Sequence, residues 1–194
     1  MLKLPGPADG LSVGLLGGSF NPAHVGHFHV AETAMRRLGL DWVWWLPARC
    51  SPLKSNHGDY AERFQSAARF AGPHPRMRIS DIEIQAGLTY SVDTIAALKA
   101  RAPSARFVWL MGGDNLPIFH RWKSWQSIAG MVPIAIIARP GSERAALAAP
   151  FAKRFEHRRL RAADAKKLPF AISPAWTYLP APLNALSSTA LRQK

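Results

Sequence analysis

Short apolar runs, each about the length of a β-strand, alternate along this chain with segments of helical periodicity. The predicted strands cover residues 11–16, 42–46, 77–84, 107–111, 134–138 and 176–179. The predicted helices cover residues 25–38, 61–70 and 92–100. Because the strands lack clean alternation of polar and apolar residues, we expect both of their faces to be buried. The pattern predicts an α/β fold, a doubly wound parallel sheet covered by helices on both faces.

The polar, glycine-rich segments of the chain follow predicted strands. Residues 17–27 come after the first strand, and residues 112–115 come after a later one. In a doubly wound sheet, ligands bind beyond the carboxyl ends of the strands, near the point where the strand order reverses. The sequence therefore predicts a ligand site that contains both segments.

The size and composition of the chain are those of a single folded domain. Its 194 residues, 48% of them hydrophobic and 19% charged, suffice for one sizeable core and are few for two. Pro5, Pro7 and Asp9 interrupt the apolar core that a signal peptide would need. We expect residues 1–10 to form a loose N-terminal arm and residues 11–194 to form the domain.

Membrane attachment is not expected. The longest apolar stretch, residues 128–138, contains Pro133 and has roughly half the length needed to span a bilayer. The single cysteine, Cys50, cannot form an internal disulfide, which favours a cytoplasmic location.

Charge indicates an anionic partner without identifying it. The 25 Lys and Arg residues outnumber the 12 Asp and Glu residues, for a formal net charge of +13. The basic stretch 153–167 is interpreted as a solvated face, with steering of anionic substrates as the alternative. A nucleic-acid-binding module would place aromatic residues among the basic ones, and most aromatics here lie elsewhere, so no specific nucleic acid is expected.

The segment at residues 17–27 has the composition of a phosphate-binding loop. It reads Gly-Gly-Ser-Phe-Asn-Pro-Ala-His-Val-Gly-His. Paired glycines allow close approach of the backbone to a ligand, and a helix that starts nearby directs its positive end toward the same space. His24 and His27 can then donate to phosphate oxygens and stabilise developing charge. A zinc site formed with His29 is disfavoured, because no nearby carboxylate or cysteine completes a ligand set.

A second phosphate-binding candidate lies near the last residues, where Ser187, Ser188 and Thr189 precede an apolar turn and Arg192. Consecutive hydroxyl residues form a good helix N-cap, which is the structural interpretation. The functional interpretation uses the same geometry, because hydroxyls and N–H groups at a helix start bind phosphate and Arg192 adds a forked donor.

These two segments resemble the paired signatures of the nucleotidylyltransferase superfamily. Three further stretches, residues 87–94, 111–125 and 138–141, resemble the nicotinate-nucleotide adenylyltransferase family in particular. The matches run in order from residue 14 to residue 192, so the resemblance covers nearly the whole chain. It implies a Rossmann-like nucleotidylyltransferase fold in a single domain.

The resemblance also implies roles for individual residues. His24 and His27 would be catalytic, contacting the ATP phosphates and stabilising the transition state. The residues implied in ATP binding are Gly17, Gly18, Ser19, Phe20, Lys54, Gly112, Asp114, Arg139, Ser188, Thr189 and Arg192. The residues implied in binding the pyridine nucleotide are Tyr90, Ser91, Asn115 and Trp122. For Lys54 a solvated loop lysine is the alternative, and for Trp122 and Trp125 it is core packing.

The implied reaction is adenylyl transfer from ATP to nicotinate mononucleotide, which gives nicotinate adenine dinucleotide and pyrophosphate. No activated nucleophile is visible, so in-line attack without a covalent enzyme intermediate is expected. Mg²⁺ is expected to arrive with ATP, since no acidic metal motif is present in the sequence and no protein-held metal is predicted. Asn21 departs from the Asp of many family members, which removes a charge and keeps a hydrogen-bonding carbonyl.

Two alternatives stay within the superfamily. An enzyme that adenylates phosphopantetheine would share both phosphate-binding segments but not the run from residue 114 to residue 125. Nicotinamide mononucleotide could also use the predicted site. Class I aminoacyl-tRNA synthetases share the His-x-Gly-His element, but this chain lacks their lysine-rich second signature. The sequence leaves the oligomeric state open.

Overall fold

A computed structural model describes residues 2–50, 58–139 and 141–180. Within these ranges the chain forms a seven-stranded sheet in which each neighbouring pair of strands is parallel. The strands are β1 (Ser12–Gly18), β2 (Trp42–Pro47), β3 (Met77–Ile79), β4 (Arg106–Gly112), β5 (Ile134–Ile137), β6 (Arg159–Leu160) and β7 (Trp176–Leu179).

The order of the strands across the sheet is β3-β2-β1-β4-β5-β7-β6. From β1 the chain builds outward to one side through β2 and β3, and then crosses to the other side at β4. The strand order therefore reverses between β1 and β4, and a crevice for ligands is expected beyond their carboxyl ends.

Helices connect the strands and cover both faces of the sheet. The α-helices are α1 (Val25–Leu38), α2 (Tyr60–Ala71), α3 (Ile82–Gln85), α4 (Ser91–Arg101), α5 (Leu116–Phe119), α6 (Trp125–Met131), α7 (Glu143–Leu147) and α8 (Pro150–Arg154). In the described part of the chain, 3-10 helices span Glu156–Arg158 and Ala162–Phe170. Gly39 ends α1 in the left-handed conformation, with φ of 67°, as expected for a glycine C-cap.

The core lies in two hydrophobic clusters, one on each face of the sheet. Consecutive strand residues enter opposite clusters: Trp109 belongs to one and Leu110 to the other, and Trp44 and Trp45 divide in the same way. Burial on both faces explains why the strands lack polar positions. The predicted doubly wound α/β fold is confirmed.

The strand predicted for residues 77–84 was wrong in its second half. The strand ends at Ile79, and Ile82–Gln85 form a short helix instead. Ser80 Oγ accepts the Ile82 N–H at 3.3 Å, and the carbonyl of Asp81 accepts the N–H of Ile84. A hydroxyl side chain that accepts a hydrogen bond from the backbone two residues further on favours turns and helix starts over strands. The apolar spacing alone therefore overextended the strand.

Residues 2–11 contain no helix or strand. Leu2 and Leu4 pack against one core cluster, Ala8 is buried, and the Lys3 N–H donates to Gln85 Oε1 at 3.0 Å. The division into an arm and a domain stays a prediction. Among the described residues, no helix is long and apolar enough to span a lipid bilayer.

Candidate active site

The two glycine-rich segments meet at the switch point of the sheet. β1 and β4 are direct neighbours, with Leu16 paired to Leu110, so Gly17 and Gly112 emerge at the same edge. The Gly113 N–H donates to the Ile137 carbonyl and the Asn115 N–H donates to the Gly112 carbonyl. The predicted residues Lys54, Ser188, Thr189 and Arg192 lie outside the described residues.

Aromatic rings pack closely against Gly17 and, less closely, against Gly18. A Cβ on Gly17 would lie 2.5 Å from the Trp109 ring, and one on Gly18 would lie 3.2 Å from the Phe20 ring. Phe20 itself has φ of 47° and is buried against Trp45, with ring centroids 5.3 Å apart. Left-handed backbone is strained for a bulky residue, so packing of the ring holds this turn in place.

His24 and His27 cap the start of α1 reciprocally. His24 Nδ1 accepts the Gly26 N–H at 3.0 Å, and His27 Nδ1 accepts the His24 N–H at 3.2 Å. An imidazole nitrogen that accepts a hydrogen bond carries no proton, so the proton of each ring lies on Nε2. The two rings therefore present N–H donors at the positive end of a helix, which is a site suited to anions.

The neutral state of His24 has a clear physical origin. Its side chain is only 3% exposed. Burial, and after it the positive charge of Arg139, lower the pKa of His24 from its ordinary 6.5 to about 4, against a smaller raising effect of Asp114. His24 thus acts at neutral pH as a hydrogen-bond donor and not as a cation.

Gly112, Asp114 and Arg139 form a polar corner beside His24. Arg139 Nε lies 3.3 Å from Asp114 Oδ1, and the Asp114 side chain is 48% exposed. A Cβ on Gly112 would lie 2.5 Å from that carboxylate oxygen and 2.7 Å from Arg139 Nε. Ser142 Oγ accepts the Arg139 N–H and donates to the Arg139 carbonyl, which fixes the backbone of Arg139.

The residues predicted to bind the pyridine ring lie at the start of α4 and in the segment between β4 and α6. Tyr90 precedes the first turn of α4, where Ser91 is the first helical residue. Lys123 Nζ lies 4.1 Å from the centroid of the Tyr90 ring. Asn115 precedes α5.

Trp122 and Trp125 have different surroundings. The ring of Trp122 is partly buried and packs edge-on against Trp109, with centroids 6.1 Å apart. The Trp109 ring also packs against Gly17 of the phosphate-binding segment. The Trp109 ring therefore lies between Trp122 and that segment. Trp125 packs among Phe119, Phe151 and Phe155. Trp122 also packs edge-on against Phe119, with centroids 5.3 Å apart, and both tryptophans are partly buried against the same core cluster. The choice of Trp122 over Trp125 as the ligand-facing residue stays a prediction.

Sequence reasoning missed a buried polar group behind the site. Arg63 on α2 is 3% exposed and donates to the carbonyls of Ser19, Ala48 and Arg49. Glu83 is 5% exposed and accepts the Arg49 N–H and the Thr94 hydroxyl. The burial of Arg63 could have been predicted from the sequence, because Arg63 lies on the same helix face as the buried residues Ala67 and Ala71.

Comparison with known proteins finds relatives over nearly the whole chain. A family model described as cytidylyltransferase-like matches residues 15–194. A protein of Caulobacter sp. named probable nicotinate-nucleotide adenylyltransferase is 50% identical over 184 residues, covering 94% of this chain and 97% of the relative. A protein of Rhizobium meliloti with the same name is 46% identical, with the same coverage of both chains.

Solved structures support the fold. The nicotinic acid mononucleotide adenylyltransferase of Plasmodium falciparum, in complex with NaAD, superposes with a TM-score of 0.72 at 17% identity. The alignment covers 94% of this chain and 83% of that one. With close sequence relatives over nearly the full length, this chain belongs to the nicotinate-nucleotide adenylyltransferase family.

Proposed function

We propose that this chain transfers the adenylyl group of ATP to nicotinate mononucleotide, producing nicotinate adenine dinucleotide and pyrophosphate in NAD biosynthesis. The observation that carries the proposal is the pair of Nε2–H donors of His24 and His27 at the start of α1. The donors follow β1, at the point between β1 and β4 where the strand order reverses, and the names of the relatives indicate the substrate class.

The chemical step is an in-line displacement at the α-phosphorus of ATP. A phosphate oxygen of the mononucleotide forms a new bond to the α-phosphorus, and the bond to the oxygen that bridges to the β-phosphate breaks. Pyrophosphate leaves with that electron pair. The attacking phosphate is already an anion, so no general base is required. The donors of His24 and His27 stabilise charge on the phosphate oxygens in the transition state, and the protein otherwise positions the reactants.

Magnesium enters with the substrate, as MgATP. Within the described residues, no three His, Cys, Asp or Glu side chains gather as metal ligands would. Asp114, the carboxylate of the site, is ion-paired with Arg139. This donor set fits a metal held mainly by triphosphate oxygens and water, where it neutralises phosphate charge.

The remaining contacts to ATP divide between its two ends. Gly112 and Asp114 lie near the ribose. The Asp114 carboxylate accepts hydrogen bonds from the ribose hydroxyls. Arg139 lines the adenine or the phosphate side of the nucleotide. For the phosphates that leave as pyrophosphate, we propose Lys54, Ser188, Thr189 and Arg192, which lie outside the described residues. The glycines at residues 17 and 18, with Ser19 and Phe20, shape the backbone against the nucleotide.

The pyridine mononucleotide binds in a part of the site separate from the ATP contacts. Trp122 stacks on the ring, and Tyr90, Ser91 and the local backbone surround the nicotinate carboxylate. Asn115 is a further contact to this substrate. The ammonium group of Lys123 lies over the Tyr90 ring and adds positive charge to this region. That charge favours the acid over the amide form of the pyridine nucleotide. A cytoplasmic location forms part of the proposal.

The product and the fate of each phosphate test the proposal. With ATP labelled at the α-phosphate, we expect the label in a dinucleotide whose mass is that of nicotinate adenine dinucleotide. With ATP labelled at the γ-phosphate, we expect the label in pyrophosphate alone. Label in inorganic phosphate, or on the protein, would contradict direct adenylyl transfer.

Trp122→Leu tests the pyridine site separately. Loss of a stacking partner should raise the KM for nicotinate mononucleotide about tenfold, since stacking of a base on an aromatic ring contributes about 1–3 kcal/mol. The KM for ATP should stay unchanged. Equal changes in both constants would assign Trp122 to core packing.

A further inference from the structure

Arg63 is a buried arginine that binds backbone and not an acidic partner. Its Nη1 donates to the Ser19 carbonyl and to the Ala48 carbonyl, both at 2.8 Å, and its Nη2 donates to the Arg49 carbonyl at 3.1 Å. The Tyr60 ring lies against the guanidinium at 5.3 Å. Among the residues that the structure describes, no carboxylate forms an ion pair with Arg63.

The three carbonyls belong to two different loops. Ser19 lies in the phosphate-binding segment that follows β1, five residues before His24. Ala48 and Arg49 follow β2, which pairs with β1. One further hydrogen bond joins the loops directly, from the Ala48 N–H to the Gly18 carbonyl at 2.8 Å. Arg63 therefore links the segments that follow β1 and β2, and the segment after β1 is the phosphate-binding one.

The loop after β2 is also held from its other side. Glu83 Oε2 accepts the Arg49 N–H at 2.9 Å, and Glu83 Oε1 accepts the Thr94 hydroxyl at 3.1 Å. Arg49 Nη2 donates to Thr89 Oγ1 at 3.1 Å. Thr89 and Thr94 flank Tyr90 and Ser91, so the same network reaches the segment proposed to bind the pyridine carboxylate.

Simple packing does not explain an arginine at this position. Taking a guanidinium out of water is costly unless its hydrogen bonds are satisfied, and burial lowers the pKa of Arg63. The neighbouring buried positions on the same helix face, Ala67 and Ala71, are small and apolar. A planar group that donates in several fixed directions can bridge carbonyls of separate loops, which no apolar side chain does.

We propose that Arg63 is a positioning residue for adenylyl transfer. Through the Ser19 carbonyl it fixes the segment that carries His24 and His27 relative to the end of β2. The proposal rests on the proposed function, because the geometry that Arg63 controls is that of the transition-state donors. Loss of this control should lower kcat, since a displacement of about 1 Å in a catalytic group can cost about 100-fold in rate.

The test compares Arg63→Met, Arg63→Lys and, as a control, Arg69→Met on the exposed face of the same helix. Each variant is assayed for kcat and for the KM of ATP and of nicotinate mononucleotide. Titration calorimetry with a non-hydrolysable ATP analogue gives the fraction of competent sites, and urea unfolding gives the stability. We expect kcat per competent site to fall about 100-fold in Arg63→Met, with the KM for the mononucleotide within about threefold of the wild-type value.

The kcat of Arg63→Lys should fall less than that of Arg63→Met, because an ammonium group keeps the charge and can donate to one loop but not to both. Arg69→Met should match the wild type. If Arg63→Met does not fold, the kcat of Arg63→Lys decides. Wild-type kcat per competent site in the folded Arg63 variants, even with lower stability, would overturn the positioning role. A wild-type protein without adenylyl transfer would overturn the proposed function instead.

Discussion

The imidazole rings of His24 and His27 lie with their centroids 3.9 Å apart, and each accepts a backbone N–H of the same helix turn. One pair of side chains thereby builds the start of α1 and presents two Nε2–H donors. Structure and proposed catalysis depend on different nitrogens of each ring. Substitutions that preserve one nitrogen and remove the other can separate the two roles.

Substitution of His24 by Asn should separate capping from catalysis. The Asn carbonyl can still accept the Gly26 N–H, so stability should change by no more than about 1 kcal/mol. The donor at the position of Nε2 is lost, and removal of one preorganised donor costs about 10²–10³ in kcat. Urea unfolding and steady-state kinetics measure the two effects. A large loss of stability with unchanged kcat in the folded protein would assign His24 to structure alone.

Removal of the Arg139 charge should raise the pKa of His24. Burial is the larger cause of the low pKa, about 4, and Arg139 is the second. In Arg139→Met the pKa should therefore rise but stay below the ordinary 6.5. Titration of the His24 ring by NMR measures it. Arg144→Met, an exposed change on α7, is the control and should leave the pKa unchanged. A fall in the His24 pKa in Arg139→Met would contradict the electrostatic assignment.

Glu83 should make folding stability depend on pH. Burial raises the pKa of Glu83 from 4.5 to about 7, against opposing hydrogen bonds from Arg49 and Thr94. Between these values the folded state holds a proton that the unfolded state releases, so the stabilising contribution is complete below pH 4.5 and is lost as the pH rises through 7.

Glu83→Gln removes this titration and provides its measurement. The stability of the variant minus that of the wild type should increase by about 2–3 kcal/mol between pH 5 and pH 8. Taking the difference cancels other titrating groups, including His24, whose lowered pKa has the opposite effect on stability. Urea unfolding at both values of pH measures it. A difference that stays constant with pH would show that Glu83 does not titrate in this range.

Gly17→Ala should destabilise the protein through a contact with Trp109. The added Cβ would lie 2.5 Å from the ring, and overpacking of this kind costs about 1–3 kcal/mol. Gly130→Ala on α6 meets nothing within 4 Å and should stabilise the helix by about 0.5–1 kcal/mol. Thermal and urea unfolding of both variants measure the contrast. Equal free energies of unfolding for the two variants would show that the carboxyl end of β1 accommodates the added methyl group without cost.

The sheet was predictable because strands that are buried on both faces consist of short, continuous apolar runs, which are visible in the local sequence. The observed strands β4 and β5 lie within one residue of the predicted ranges at each end, and β7 matches residues 176–179. The helix α3 was not predictable from the spacing of apolar residues, because its start depends on the hydrogen bond that the Ile82 N–H donates to Ser80 Oγ. β6 and the first 3-10 helix lie in the basic stretch, and the second 3-10 helix begins there, where periodicity is absent.

The site was predictable where its residues are close together in sequence. The glycines, Phe20, His24 and His27 lie within eleven residues, from 17 to 27, and their types indicate phosphate binding. The pairing of Asp114 with Arg139 and the reach of Arg63 to Ser19 join residues 25 and 44 positions apart. Such contacts follow from the strand order, which no local pattern records.

Pyrophosphate release from MgATP tests the central proposal most directly, with nicotinate mononucleotide, nicotinamide mononucleotide and phosphopantetheine as parallel acceptors. We expect the highest kcat/KM with nicotinate mononucleotide, lower turnover with the amide, and none with phosphopantetheine. Turnover with phosphopantetheine alone would contradict the proposed substrate while keeping adenylyl transfer. No release with any acceptor, from protein that unfolds cooperatively, would contradict the proposed reaction itself.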